Sequence, residues 1–150
     1  MITTQNLSKK YGNQLVLNIE HLDIPKGQSF GLVGNNGAGK TTFFSLMLDL
    51  IQPTTGQISN NNVQVNTSED WKPFTSSFID ESFLIGYLTP EEYFYFIGEL
   101  RGQNKADVDS LLSNFVDLFH GEILNQKKFL RDLSNGTQKK AGIVASFFGI

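Results

Sequence analysis

The first sixty residues combine strand-like patterns with one helical pattern. Residues 15–22 are rich in apolar side chains and precede the turn signal Pro25-Lys26-Gly27, which predicts a strand that ends at this turn. Residues 29–33 form a short apolar run, as expected of a buried strand. Apolar residues are dense over 40–51, which predicts a buried helix that Pro53 stops.

The later part of the chain has mainly helical patterns. A polar stretch over 59–73 predicts turns around a short strand at 63–65. Thr89 with Pro90 and Glu92 forms a strong start signal for a helix that ends before Gly102. Apolar residues at helical spacing over 108–119 predict a second amphipathic helix.

A glycine-rich loop joins the predicted strand over 29–33 to the helix. In this loop, four residues separate Gly34 from Gly39-Lys40-Thr41. This spacing lets backbone N–H groups curl around phosphate oxygens at a helix N-terminus. Lys40 is expected to neutralise charge on the β and γ phosphates, and the Thr41 hydroxyl to ligate Mg²⁺. We therefore predict a site for a nucleoside triphosphate bound with Mg²⁺. The predicted nucleotide-binding residues of this loop are Gly34, Asn35, Asn36, Gly37, Ala38, Gly39, Lys40, Thr41 and Thr42.

Composition and charge limit the other possible partners. The net charge of −3 gives no broad basic field, so nucleic acid is not expected as the main partner. The absence of cysteine excludes disulfides, thiolate metal sites and a cysteine nucleophile. No window approaches about eighteen uninterrupted apolar residues, so any membrane spans must come from another subunit.

The shift from strand patterns to helical patterns falls near residues 75–90. We predict an α/β fold in one partial domain over residues 1–150. A nucleotide-binding core occupies about residues 1–75, and an inserted helical subdomain occupies about residues 76–150.

Three stretches together resemble the ATP-binding cassette (ABC) ATPases. They are Leu7-Ser8-Lys9-Lys10-Tyr11-Gly12, the loop over 34–42, and Leu133-Ser134-Asn135-Gly136-Thr137-Gln138, in the order and spacing of that family. The stretch Pro53-Thr54-Thr55-Gly56-Gln57-Ile58 is also similar to the family. The resemblance implies a phosphate-loop NTPase core, with a RecA-like sheet and an antiparallel β subdomain, plus an inserted α-helical subdomain.

The resemblance also implies roles for two of these motifs. Tyr11 would stack on the adenine ring, since a flat aromatic face binds a base without a fixed hydrogen-bond pattern. The alternative is an ordinary, partly buried tyrosine beside a turn. Residues 133–138 resemble the family signature Leu-Ser-Gly-Gly-Gln but depart from it at Asn135 and Thr137. This signature would contact the γ-phosphate of another subunit's nucleotide, although a plain serine N-cap explains the pattern equally well. The predicted signature residues are Ser134, Asn135, Gly136, Thr137 and Gln138.

A segment near residue 80 resembles the family's glutamine-containing loop. Counting back from Leu88-Thr89 places Asp80 where the family usually has glutamine, with Glu81 beside it. The Asp80 carboxylate would contact Mg²⁺ or its water, and a solvated acidic turn is the alternative.

Nearby apolar residues are candidates for contact with a membrane subunit. The run Phe83-Leu84-Ile85 is expected mainly in the core, with a docking surface as the second possibility. Phe94 and Tyr95 are expected off the main apolar face of their helix, where family members expose aromatic residues to the transmembrane partner.

The catalytic groups of the family have no match in this sequence. No strand pattern that ends in Asp-Glu follows the signature. His21 and His120 both precede the signature, so neither matches the family's histidine that contacts the γ-phosphate. The C-terminal part of the core is therefore expected to be missing, and no catalytic residue is assigned. We expect these residues to bind ATP and to hydrolyse it poorly.

The resemblance favours the ATPase subunit of a membrane transporter. It implies a second ATPase head that dimerises on ATP binding, a transmembrane permease, and a cytoplasmic location on the inner face of the membrane. The alternatives are a soluble ABC ATPase acting on ribosomes or DNA repair, a binding-only fragment, and an unrelated phosphate-loop GTPase or kinase. Against a GTPase, Asn125-Gln126-Lys127-Lys128 does not supply the guanine-reading motif.

Overall fold

A computed structural model describes residues 1–149 and divides the molecule into two compact units. The first unit is Met1–Pro73, and the second begins at Phe74. The first contains a sheet and one α-helix, and the elements described in the second, over residues 74–149, are helices and turns.

The sheet of the first unit is antiparallel throughout. Its strands are β1 (Ile2–Tyr11), β2 (Gln14–Ile24), β3 (Thr55–Asn60) and β4 (Val63–Gln64), in the spatial order β2-β1-β3-β4. The strand predicted over 15–22 is confirmed as the middle of β2. The short strand predicted at 63–65 is confirmed as β4.

One helix, α1 (Lys40–Met47), packs with this sheet. The predicted helix ran to residue 51, but Asp49 has a left-handed φ of 54°, which turns the backbone out of the helix before Pro53. The core formed by the helix and sheet consists of Leu7, Phe43, Leu46, Ile58, Val65 and Trp71.

The prediction of a buried strand over residues 29–33 is wrong. This segment has no regular structure, and the side chain of Val33 is 93% exposed. No strand within residues 1–149 pairs with it. A central strand needs hydrogen-bonding neighbours to satisfy its backbone groups, so an apolar run alone does not produce one.

The second unit contains α2 (Pro90–Leu100), α3 (Lys105–Ser113), α4 (Val116–Phe119) and α5 (Asn135–Ala145). The predicted start of α2 is confirmed: the Thr89 hydroxyl accepts from the Glu92 N–H, and the Glu92 carboxylate accepts from the Thr89 N–H at 2.8 Å. Gly102, with φ of 75°, lies just past its end, as predicted. The described residues also form three 3₁₀ turns, of which the first crosses the boundary between the units: Lys72–Phe74, Glu81–Phe83 and Leu130–Asp132.

The helix predicted over 108–119 is two helices with a break at Asn114 and Phe115. The Ser113 hydroxyl and the Asn114 amide both donate to the Ser110 carbonyl, at 2.7 and 3.4 Å. Such side-chain bonds compete with the helical backbone pattern, which apolar spacing does not reveal.

Two expectations about apolar exposure in this unit are also wrong. Phe94 is fully buried and packs on Phe119, with ring centroids 6.0 Å apart. Conversely, Phe83 is 56% exposed and Ile85 is 39% exposed, whereas Leu84 packs against the core of the second unit. A 3₁₀ turn at Glu81–Phe83 precedes Leu84, so of the three residues in this apolar run only Leu84 packs against the core.

Candidate nucleotide site

The glycine-rich loop leads into the N-terminus of α1. The Ala38 N–H donates to the Asn35 carbonyl at 3.1 Å, and Gly39 has a left-handed φ of 87°. The first bond of the helix runs from the Phe43 N–H to the Gly39 carbonyl at 2.8 Å. The N–H groups of residues 40–42 precede that bond and have no acceptor within the helix, so they are available to an anion.

Lys40 folds back over its own loop. Its ammonium donates to the carbonyl oxygens of Gly34 at 2.7 Å and Asn35 at 2.8 Å. An ammonium has three N–H donors, so two hold the loop closed and a third remains for a ligand. The result is a compact positive charge at the loop, beside the positive end of the α1 dipole.

The loop forms one wall of a pocket of about 330 Å³. This volume is within the usual range for small-molecule sites. The pocket brings together six of the predicted loop residues and one residue from β2. Its lining consists of Val16, Asn36, Gly37, Gly39, Lys40, Thr41 and Thr42.

Val16 is the lining residue that the sequence analysis missed. Lys9 of β1 pairs with Leu17 and Lys10 pairs with Leu15, so Val16 is the extra residue of a β-bulge. A Cβ atom on Gly39 would lie 2.8 Å from the Val16 carbonyl oxygen. The bulge therefore places the backbone of β2 directly against the phosphate loop. Apolar patterning marks the strand but does not locate such a bulge.

Tyr11 lies at the end of β1, next to this bulge. Gly12, with φ of 56°, turns the chain into β2, and Tyr11 pairs with Gln14. The Tyr11 side chain is 53% exposed. An exposed ring at this edge has a free surface for a flat ligand.

The predicted signature lies at the start of α5, in the second unit. Ser134 is the N-cap, and its hydroxyl accepts from the Thr137 N–H at 3.2 Å. Asn135 and Gly136 are exposed, whereas Thr137 is buried with its hydroxyl 2.8 Å from that of Ser134. The Gln138 amide donates to the Leu133 carbonyl at 2.9 Å. The exposed part of the motif is therefore the turn formed by residues 134–136.

Asp80 caps the 3₁₀ turn at Glu81–Phe83 in the second unit. Its carboxylate accepts from the Ser82 hydroxyl and from the Ser82 N–H, and these hydrogen bonds lower the pKa of Asp80. The neighbouring Glu81 carboxylate lies 3.3 Å from the Lys139 ammonium on α5. The Asp80 carboxylate, for which the family resemblance implies a contact with Mg²⁺, is thus ionised and already accepts two hydrogen bonds within the turn.

Residues 1–149 contain neither a metal-binding cluster nor a membrane-spanning helix. No group of three or more histidine or carboxylate side chains lies close enough to hold a metal ion. No helix in that range has the length and apolarity needed to cross a lipid bilayer. The site that the described residues do assemble is the pocket of about 330 Å³ at the N-terminus of α1, lined by Lys40, Thr41 and Thr42 and adjoining the free N–H groups of residues 40–42.

Comparison with known proteins assigns the family. The family model described as "ABC transporter" matches residues 17–149. The bacitracin transport ATP-binding protein BcrA of Enterococcus faecalis is 35% identical over 97% of the chain and 46% of its own length. The lantibiotic transport ATP-binding protein SrtF of Streptococcus pyogenes is 31% identical over 97% of the chain and 61% of its own length.

A solved structure supports the same fold. The dimeric bacterial ABC transporter cassette MJ0796 has a TM-score of 0.81 at 21% identity, covering 99% of the chain and 70% of the MJ0796 chain. The chain spans about half the length of the curated relatives it matches. With the family model covering most of its residues, the chain belongs to the ABC transporter family and has the partial α/β phosphate-loop fold of its ATP-binding domains.

Proposed function

We propose that this chain binds MgATP and belongs to the ATP-binding part of a membrane transporter. The observation that carries the proposal is the phosphate loop: left-handed Gly39, the free N–H groups of residues 40–42 and the Lys40 ammonium converge on one pocket. The names of the relatives BcrA and SrtF, both transport ATP-binding proteins, support the same assignment.

In this proposal the phosphate loop binds the triphosphate of ATP, and Tyr11 binds its adenine base. Backbone N–H groups and Lys40 bind the negative oxygens, whereas the exposed Tyr11 ring stacks on adenine. Stacking of a base on an aromatic side chain contributes roughly 1–3 kcal/mol. ATP is therefore expected to bind more tightly than inorganic tripolyphosphate.

Magnesium fits the pocket through one protein ligand. Thr41 lines the pocket and carries a hydroxyl oxygen, and Mg²⁺ commonly takes one or two protein oxygens together with phosphate oxygens and water. The bound cation would neutralise charge between the β and γ phosphates. No magnesium contact is proposed for Asp80, because its carboxylate already accepts two hydrogen bonds from Ser82.

The signature turn is the proposed contact to a second ATPase head. Ser134, Asn135 and Gly136 are exposed at the N-terminus of α5, where N–H groups and the helix dipole favour an anion. Gln138 and the buried Thr137 would then support the turn from behind. The solved cassette MJ0796 is described as a dimer, which supports pairing of two ATPase heads.

The partner in the membrane would be a permease, with this chain on the cytoplasmic face. The exposed Phe83, Ile85 and Tyr87 form the proposed contact region, and Tyr87 is 71% exposed. Hydrolysis is proposed for the assembled transporter. By themselves, these residues are expected to bind ATP and turn it over slowly, because no counterpart of the family's catalytic glutamate was found among them.

The proposal is tested by calorimetric titration of the chain with ATP, with and without Mg²⁺. Lys40→Ala is expected to weaken binding at least about tenfold, because hydrogen bonds to charged groups contribute roughly 1.5–3 kcal/mol. Lys26→Ala, a lysine in the turn before the loop, is the control with the same change of charge. Equal affinity of the Lys40→Ala variant and the wild type would exclude the proposed site.

A further inference from the structure

Tyr11 is accompanied by a second side chain that the nucleotide motifs do not include. The Lys9 ammonium lies over the Tyr11 ring, 5.1 Å from its centroid. The two residues are two positions apart on β1, so their side chains project from the same face of the strand. A cation over an aromatic face is attracted by the electrons of the ring.

The Lys9 ammonium is fixed from the other side as well. It donates to the backbone carbonyl of Gln52 at 2.6 Å, in the connection between α1 and β3. That connection is bound to β1 by two further hydrogen bonds, from the Thr54 N–H to the Ser8 carbonyl at 2.8 Å and from the Lys10 N–H to the Thr54 hydroxyl at 2.9 Å. Lys9 therefore has a rigid support.

We propose that Lys9 is a positioning residue for the nucleotide base. It covers one face of the Tyr11 ring and holds the ring in place, so that the base stacks on the opposite face. Tyr11 is 53% exposed although Lys9 lies over one side of its ring, so part of the side chain stays accessible to a base. This inference rests on the proposed function, since it specifies how the MgATP site orients its aromatic platform.

The physical effect of Lys9 is preorganisation of the ring. Holding the Tyr11 side chain in its bound orientation before binding removes the cost of ordering it when the base binds. Because a tyrosine has only two side-chain torsions to order, loss of this effect should weaken the affinity for MgATP by about twofold to fivefold. Tripolyphosphate does not touch the ring, so its affinity should not change.

The neighbouring Lys10 provides a matched control. Lys10 carries the same charge one residue later, and its side chain projects from the other face of the strand. Lys9→Met and Lys10→Met remove the same charge with nearly the same chain length. A general loss of attraction for a polyanion would therefore affect both variants alike, whereas loss of ring positioning would affect only Lys9→Met.

The experiment measures affinities for MgATP and for magnesium tripolyphosphate in the wild type, Lys9→Met, Lys9→Arg, Lys10→Met, Tyr11→Ala and the Lys9→Met/Tyr11→Ala double variant. Trp71 fluorescence confirms that each variant keeps the fold of the first unit, because Trp71 is buried there. Lys9→Met should weaken only MgATP binding, Lys9→Arg should restore most of it, and the double variant should be no weaker than Tyr11→Ala.

Three results would overturn the proposal. They are equal losses in Lys9→Met and Lys10→Met, an equal loss for tripolyphosphate, and additive losses in the double variant. If the wild type binds MgATP and any of these results is obtained, the role of Lys9 is excluded but the proposed function is not. Absence of MgATP binding by the folded wild type would overturn both.

Discussion

The contact between the phosphate loop and the β2 bulge can be measured with two glycine substitutions. Gly37 and Gly39 both have left-handed backbones, with φ of 83° and 87°. A Cβ on Gly37 would meet nothing within 4 Å, whereas a Cβ on Gly39 would lie 2.8 Å from the Val16 carbonyl oxygen. The two alanine variants therefore share the backbone strain and differ in the clash.

The expected magnitudes follow from these geometries. A left-handed backbone costs an L-residue with a Cβ roughly 1–2 kcal/mol. Alanine also restricts the unfolded chain, which offsets about 0.4–1 kcal/mol in both variants. The clash at Gly39 involves backbone of the bulge, which moves only with β2, and overpacking of this kind costs roughly 1–3 kcal/mol. Gly39→Ala should therefore be about 1–3 kcal/mol less stable than Gly37→Ala.

The assay is urea unfolding followed by tryptophan fluorescence. Trp71 is the sole tryptophan, it is buried in the core of the first unit, and its indole N–H donates to the Val65 carbonyl at 3.0 Å. The signal therefore reports the unit that contains the loop. Equal free energies of unfolding for the two variants, within about 0.5 kcal/mol, would refute the packing of the loop against Val16.

Two further predictions concern stability and ionisation. Thr4 is fully buried on β1 and its hydroxyl has no hydrogen-bond partner within residues 1–149, so Thr4→Val should raise the free energy of unfolding by about 1–2 kcal/mol, and by more than the same change at half-buried Thr3. A destabilised Thr4→Val variant would contradict this. The hydrogen bond that the Tyr95 hydroxyl donates to Asp109, helped by partial burial, raises the pKa of Tyr95 to about 12. The stability from this bond is complete below about pH 10 and is lost as pH rises towards 12. In an ultraviolet titration, Asp109→Asn should shift one tyrosine towards its ordinary pKa of about 10, and Tyr95→Phe should remove that transition; an unchanged titration in Asp109→Asn would exclude this cause.

Much of the site followed from the sequence because its signals are local. The spacing of Gly39, Lys40 and Thr41 predicts the loop and the start of α1. The residues around Thr89 predict the start of α2 in the same way. Each depends on residues a few positions apart, whose backbone requirements are the same in any fold.

The sequence interpretation failed where distant residues decide the structure. The segment over 29–33 has the composition of a strand, but a strand also needs a neighbour. Phe94 lies off the predicted apolar face, yet it is buried because Phe119 and Phe148 pack around it. The position of Val16 depends on register between two strands, which no single-strand pattern contains.

The most direct test of the account is the response of individual backbone amides to MgATP. In a heteronuclear NMR titration, the amide resonances of Gly37, Gly39, Lys40, Thr41 and Thr42 should show the largest shifts and should saturate together, because their N–H groups are the proposed phosphate ligands. Saturating shifts centred elsewhere in the chain, with these five resonances unmoved, would contradict the claim that this loop binds the nucleotide.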